Sequence, residues 1–145
     1  DKQPLAVRYP ESIRPWQHVL EPLHGYLVLA QHLTTKPELA TAFNFGPDFK
    51  EVASVRRVIE LAQKTWGNAS VSWDNRVSQL YESGTLRLDS QKSSNELGVQ
   101  PIWNLEETVQ RTIAWYRKQA QGRKTIVLCV SDIKDYEAKL DEKNA

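Results

Sequence analysis

Ile13 to Leu33, I-R-P-W-Q-H-V-L-E-P-L-H-G-Y-L-V-L-A-Q-H-L, sets an arginine, a tryptophan and two prolines ahead of one of the most apolar runs in the chain. Pro15 and Pro22 interrupt any helix upstream of them, and Pro22 itself suits a first helical turn. Leu23, Tyr26, Leu27, Ala30 and Leu33 follow at helical spacing, which predicts a helix buried along that stripe. Arg14 then stands at the helix entrance beside a rigid turn. A guanidinium held there can grip two oxygens of a phosphate or carboxylate with its planar fork; the plainer alternative is a surface arginine paired with a neighbouring acid.

Working outward, the remaining signals alternate between short strands and helices. Leu5 to Tyr9 alternates weakly before Pro10, and Ala42 to Phe45 precedes Gly46 and Pro47, so each reads as a short strand. Ser54 is placed to cap a helix carrying Val55, Val58, Ile59, Ala62 and Trp66 on one face and ending at Gly67. Val71 to Trp73 and Thr85 to Leu88 read as two further strands. Asp89 can cap a small helix through Leu97, closed by Gly98. Asn104 with Glu107 makes a capping-box pattern for a helix through Val109, Ile113 and Tyr116. A last helix is expected from Ser131, using Ile133, Tyr136 and Leu140. The five tryptophans are expected in packing, with Trp16 beside the candidate site.

Composition excludes more than it assigns. At 145 residues, 40% of them hydrophobic, the chain is the size of one globular domain over 1–145 with a core of its own. A net charge of +1 gives no electrostatic case for nucleic acid or acidic membranes, and no apolar run approaches the roughly 18 residues that cross a bilayer. The first ten residues lack the apolar core of a signal peptide, and the missing initiating methionine fits a processed or excised piece. Cys129, the single cysteine, fits a reducing compartment and reads as a small buried apolar residue in T-I-V-L-C-V. The six glycines are too dispersed for a dinucleotide or phosphate loop. His18, His24 and His32 have no pair at i, i+4, so no metal site is expected. Glu106 and Glu107 suit a helix N-terminus better than acid/base chemistry.

Taken together, three segments resemble one family. R-P-W-Q-H-V-L-E-P-L-H-G-Y-L-V-L-A at 14–30, A-F-N-F-G-P at 42–47 and L-R-L-D-S-Q-K-S-S-N-E-L-G-V-Q-P-I-W-N-L-E-E-T-V-Q-R-T-I-A-W-Y at 86–116 are similar, in order and spacing, to the C-terminal part of CDP-glucose 4,6-dehydratases. The tail S-D-I-K-D-Y-E looks like the final helix of that family. R-P-W-Q-H-V-L-E-P-L is the most specific segment, while the others are shared with extended short-chain dehydrogenase/reductases at large.

The resemblance implies a fold class: a small α/β, α+β-like, C-terminal substrate domain with short strands and about five helices, its Rossmann nucleotide-binding part absent. It implies a cytoplasmic parent enzyme, a lyase with retained NAD that converts CDP-glucose to CDP-4-keto-6-deoxyglucose for lipopolysaccharide O-antigen sugars. In that parent the missing N-terminal Rossmann domain would be the chief partner, and a homo-oligomer stays open. No catalytic residue carries over: Tyr136 and Lys139 come closest to the family's tyrosine and lysine and miss the spacing, so the chain alone is expected to be inactive and to bind no cofactor. Substrate-binding residues do carry over. Arg14 matches the arginine that, in extended members, faces the nucleotide sugar's phosphates or its nucleotide end. Tyr81 and Glu82 fall where the family has a His-Glu-Ala-like segment, with tyrosine in place of histidine and serine in place of alanine. Arg76 lies just upstream as a possible second cation. The alternatives are a non-catalytic module binding a nucleotide sugar or a protein, or part of a GDP-mannose dehydratase or a sugar-nucleotide epimerase.

Overall fold

A computed structural model of the protein describes residues 3–48, 50–67, 69–74 and 83–144. In these residues five α-helices surround two small two-stranded sheets, a mixed α/β architecture. Strand β1 (Leu5–Arg8) pairs in parallel with β4 (Val71–Asp74), matching Val7 with Trp73. Strand β2 (Ile13–Arg14) pairs antiparallel with β3 (Ala53–Ser54), and Ile13 forms a single parallel bridge to Thr85 on its other side. Tyr9, at φ 52°, turns the chain between β1 and β2, closed by Ser12 N–H donating to the Tyr9 carbonyl at 3.0 Å.

That turn also finishes the next helix. In α2 (Val55–Trp66), Val55 N–H donates to the Ser12 carbonyl, Arg56 N–H to the Pro10 carbonyl and Arg57 N–H to the Ser54 hydroxyl. Helix-terminal N–H groups that would otherwise be orphaned are satisfied by the protein itself. Gly67 ends the helix at φ 97°, a conformation open to glycine and strained for other residues. Helix α2 packs along α4 (Leu105–Ala120), with Leu61 and Val109 buried. The capping box of α4 is complete: Asn104 Oδ1 accepts from Glu107 N–H at 2.9 Å, and Glu107 accepts from Asn104 N–H at 3.4 Å. Helix α3 (Gln91–Leu97) closes at Gly98 in the left-handed region, and Asp89 accepts from Gln91 N–H at 3.0 Å.

Several sequence expectations are corrected. Helix α1 (Leu20–Leu33) turns Glu21 and Gly25 inward and leaves Leu23, Tyr26 and Leu27 exposed, the reverse of the predicted burial. A Cβ on Gly25 would overlap the Phe45 ring, so the helix approaches Phe45 closely on this face because glycine occupies it. Residues 42–45 form no strand: the Asn44 carbonyl accepts from Ser93 Oγ at 2.8 Å and the Phe45 carbonyl from Gln17 Nε2 at 2.9 Å, side-chain partners in place of a ladder. Of 85–88, only Thr85 makes a bridge. Helix α5 (Thr125–Asn144) begins six residues before Ser131, which puts Cys129 on a helix and only half-buried. Trp66, expected in packing, is 45% exposed.

Candidate substrate-binding site

Arg14 lies in β2 rather than at the helix entrance, six residues before α1, and is half-buried. Its setting is rigid. Ile13 N–H donates to the Gly84 carbonyl at 2.8 Å, and Leu86 N–H donates to the Ile13 carbonyl at 3.0 Å, while β3 pairs from the other side. Arg14 Nη1 donates to the Ile13 carbonyl at 2.8 Å. Trp16 Nε1 donates to the carbonyl of Ala53, the residue opposite Arg14, at 3.1 Å. Trp16 is thus tied to the strand that pairs with Arg14.

Arg76, Tyr81 and Glu82 lie outside the described residues. Ser83 to Leu86, which directly follow Tyr81 and Glu82, run beside Ile13. The chain next to the family-like segment is thus brought against the strand that carries Arg14, although 70 residues separate Gly84 from Arg14 in sequence.

Sequence reasoning missed a second cluster, built around Glu21. Its carboxylate is 6% exposed and accepts from Ile102 N–H at 3.1 Å, Trp103 N–H at 2.9 Å and the Tyr136 hydroxyl at 2.8 Å. Three segments distant in sequence meet on one acid. Trp103 stands edge-on to both Tyr136 and His18, and the Arg111 guanidinium lies 4.3 Å from the Trp103 ring centre. Burial, the Glu21 charge and their hydrogen bond all push the Tyr136 hydroxyl well above the usual phenol range. Burial, with the Arg111 charge, lowers His18 to about 4, so its imidazole is neutral near pH 7, and Nδ1 accepts from Leu20 N–H at 3.3 Å. A phenol that resists ionisation and a histidine that resists protonation give a packing hub, with no acid/base pair poised near neutrality. Lys139, three residues on from Tyr136, is bound to Glu107 at 2.6 Å.

The described residues do not fit the pyrophosphate of NAD. Strand β1 runs into Tyr9 and Pro10, where a dinucleotide cradle needs glycine backbone, and the first N–H groups of α2 are already engaged.

No protein-family model matches the chain. The chain is 34% identical over 137 residues to the CDP-glucose 4,6-dehydratase of Salmonella typhimurium strain LT2. It is similar to a C-terminal part of that enzyme. The match takes in 94% of the chain but 38% of the relative, so the chain spans well under half of the relative's length. The likeness confirms the family resemblance across nearly the whole sequence, and the five helices with few short strands agree with the small mixed α/β part that the resemblance implies.

Proposed function

We propose that the chain is the nucleotide-sugar-binding portion of a longer NAD-dependent CDP-glucose 4,6-dehydratase, with Arg14 as a ligand of the substrate's diphosphate. The observation that carries this reading is the match to a CDP-glucose 4,6-dehydratase over 94% of the chain, with Arg14 inside the most specific segment. The setting of Arg14 supports it: a strand paired on both sides holds the guanidinium's base in place, which limits the side-chain ordering that binding must supply. Within the matched parent, this chain's residues would bind and orient the substrate. The cofactor and the hydride chemistry would lie with the remainder, since the turn after β1 cannot cradle a pyrophosphate.

Arg14→Ala in the longer protein is expected to weaken CDP binding about tenfold to a hundredfold, the loss of charge-assisted hydrogen bonds. Titration calorimetry reads this directly, and equal affinities would refute the assignment. A second reading is a module that binds a nucleotide sugar or a protein without catalysis. Turnover of CDP-glucose by the longer protein separates the two.

A further inference from the structure

We infer that the junction of α4 and α5 docks on a membrane surface rich in anionic phospholipid. The net charge of +1 conceals an uneven distribution: no acid occurs between Glu107 and Asp132, and five cations do. One of these, Arg111, is paired with Asp135 at 3.0 Å. The other four, Arg117, Lys118, Arg123 and Lys124, stand close together in sequence, and the run from Arg117 to Val127 is exposed throughout. Arg123 N–H donates to the Lys118 carbonyl at 3.1 Å, and Gly122 turns the chain between them at φ 86°, so the fold draws the two pairs together. Among the described residues none of the four makes an ion pair; the nearest acid in the sequence, Asp132, only feels the charge of Lys118.

Helix energetics account for one pair of cations and not for the other. Arg117 and Lys118 lie in the last turn of α4, where positive charge complements the negative end of the helix dipole. Arg123 and Lys124 precede Thr125, the first residue of α5, where the dipole presents its positive end and where Ser, Thr, Asp or Asn would serve the free N–H groups. Two cations there work against the helix they introduce, and α5 has no acid in its first turn to offset them. An external anionic surface offsets them instead. Ile126 and Val127 follow directly, 68% and 58% exposed, so apolar side chains stand beside the charges. Arg117 Nη1 donates to the Thr65 carbonyl at 3.0 Å, which brings the end of α2, with the exposed Trp66, to the same place. Cations beside exposed aliphatic and tryptophan side chains make a surface suited to the headgroup region of a bilayer. The apolar pair favours lipid over nucleic acid, whose phosphates would draw the cations and leave Ile126 and Val127 in water.

Co-sedimentation with vesicles tests this on the full-length protein that carries the chain. Vesicles of phosphatidylcholine mixed with phosphatidylglycerol should bind it, and vesicles of phosphatidylcholine alone should not. Raising the ionic strength from about 0.1 M to 1 M shortens the screening length from about 10 Å to 3 Å and should release the protein. Arg123→Gln/Lys124→Gln should lower the partition coefficient by about thirtyfold, since each near-surface cation contributes about fivefold. Arg123→Glu/Lys124→Glu should lower it further; its acids suit the start of α5, so this variant should melt no lower than the parent, and its lost binding is then not a lost fold. Ile126→Ser/Val127→Ser should reduce partitioning by about tenfold or more, through the apolar area no longer buried. Absence of binding to the phosphatidylglycerol vesicles, equal binding to both vesicle types, or undiminished binding by either charge variant would each overturn the inference. An Ile126→Ser/Val127→Ser variant that binds as the parent does would overturn it as well, and tight binding of a duplex oligonucleotide by that variant would reassign the surface to nucleic acid.

Discussion

Replacing Glu21 by alanine should be among the most damaging single changes in the described core. The carboxylate accepts from two backbone N–H groups and from the Tyr136 hydroxyl, all at 3.1 Å or less. Alanine leaves three donors without that acceptor in a site where Glu21 is 6% exposed. A buried donor left unsatisfied costs about 1–3 kcal/mol. Three together suggest about 4 kcal/mol once water entering the space has recovered part of the loss, a large share of the roughly 5–15 kcal/mol that holds a domain folded. For a chain of this size the melting temperature should fall by about 8–16 °C. Glu21→Gln keeps an acceptor for the two backbone groups and can donate to the phenol oxygen, so its loss should be nearer 1–2 kcal/mol, the charge-assisted share. Urea unfolding followed by far-ultraviolet circular dichroism measures both. An alanine variant within about 1 kcal/mol of the parent, or a glutamine variant as unstable as alanine, would refute the claim that satisfied donors hold this hub.

Gly25→Ala should lose up to about 2 kcal/mol, because crowding against Phe45 costs about 1–3 kcal/mol and the gain in helix propensity returns about 1 kcal/mol; a stabilised variant in thermal melts would contradict the close approach. Asn104→Ala should cost about 1 kcal/mol by opening the α4 capping box, read as a shifted urea midpoint at unchanged slope. His18 makes stability depend on pH. Its folded value of about 4 lies below the ordinary 6.5, so the unfolded chain takes up the proton first, and stability falls as pH drops from about 6.5 towards 4. Asp132, raised mainly by burial, opposes this near the acid end, since its folded form holds a proton the unfolded chain has released. The measured slope between pH 6.5 and 4 should flatten in His18→Gln, and an unchanged slope would remove His18 from the account.

Features decided within a few residues were legible in the sequence. Ser54 caps α2, Gly67 and Gly98 close their helices with positive φ, and Asn104 with Glu107 forms its box as the spacing predicted. Each signal is a hydrogen bond or a backbone angle that the local residues settle alone. What the sequence obscured depends on remote partners. In α1 both faces carry apolar side chains, so periodicity could not say which turns inward; Glu21 decides it through partners 81 to 115 residues away. The segment at 42–45 has the composition of a strand, yet side chains from Gln17 and Ser93 take its carbonyls. At the candidate site, Arg14 was visible beside its prolines, whereas the strand pairing that fixes it joins residues about 40 apart.

The Glu21 hub has a consequence for the order in which the protein is made. Its hydroxyl donor, Tyr136, is synthesised 115 residues after the acceptor. Until α5 leaves the ribosome, the carboxylate has at most its two backbone donors, and the final lock requires closing a loop of 115 residues. Formation of the finished core is thereby deferred until α5 has been made, and a chain that stops before Tyr136 would carry a burial it cannot complete.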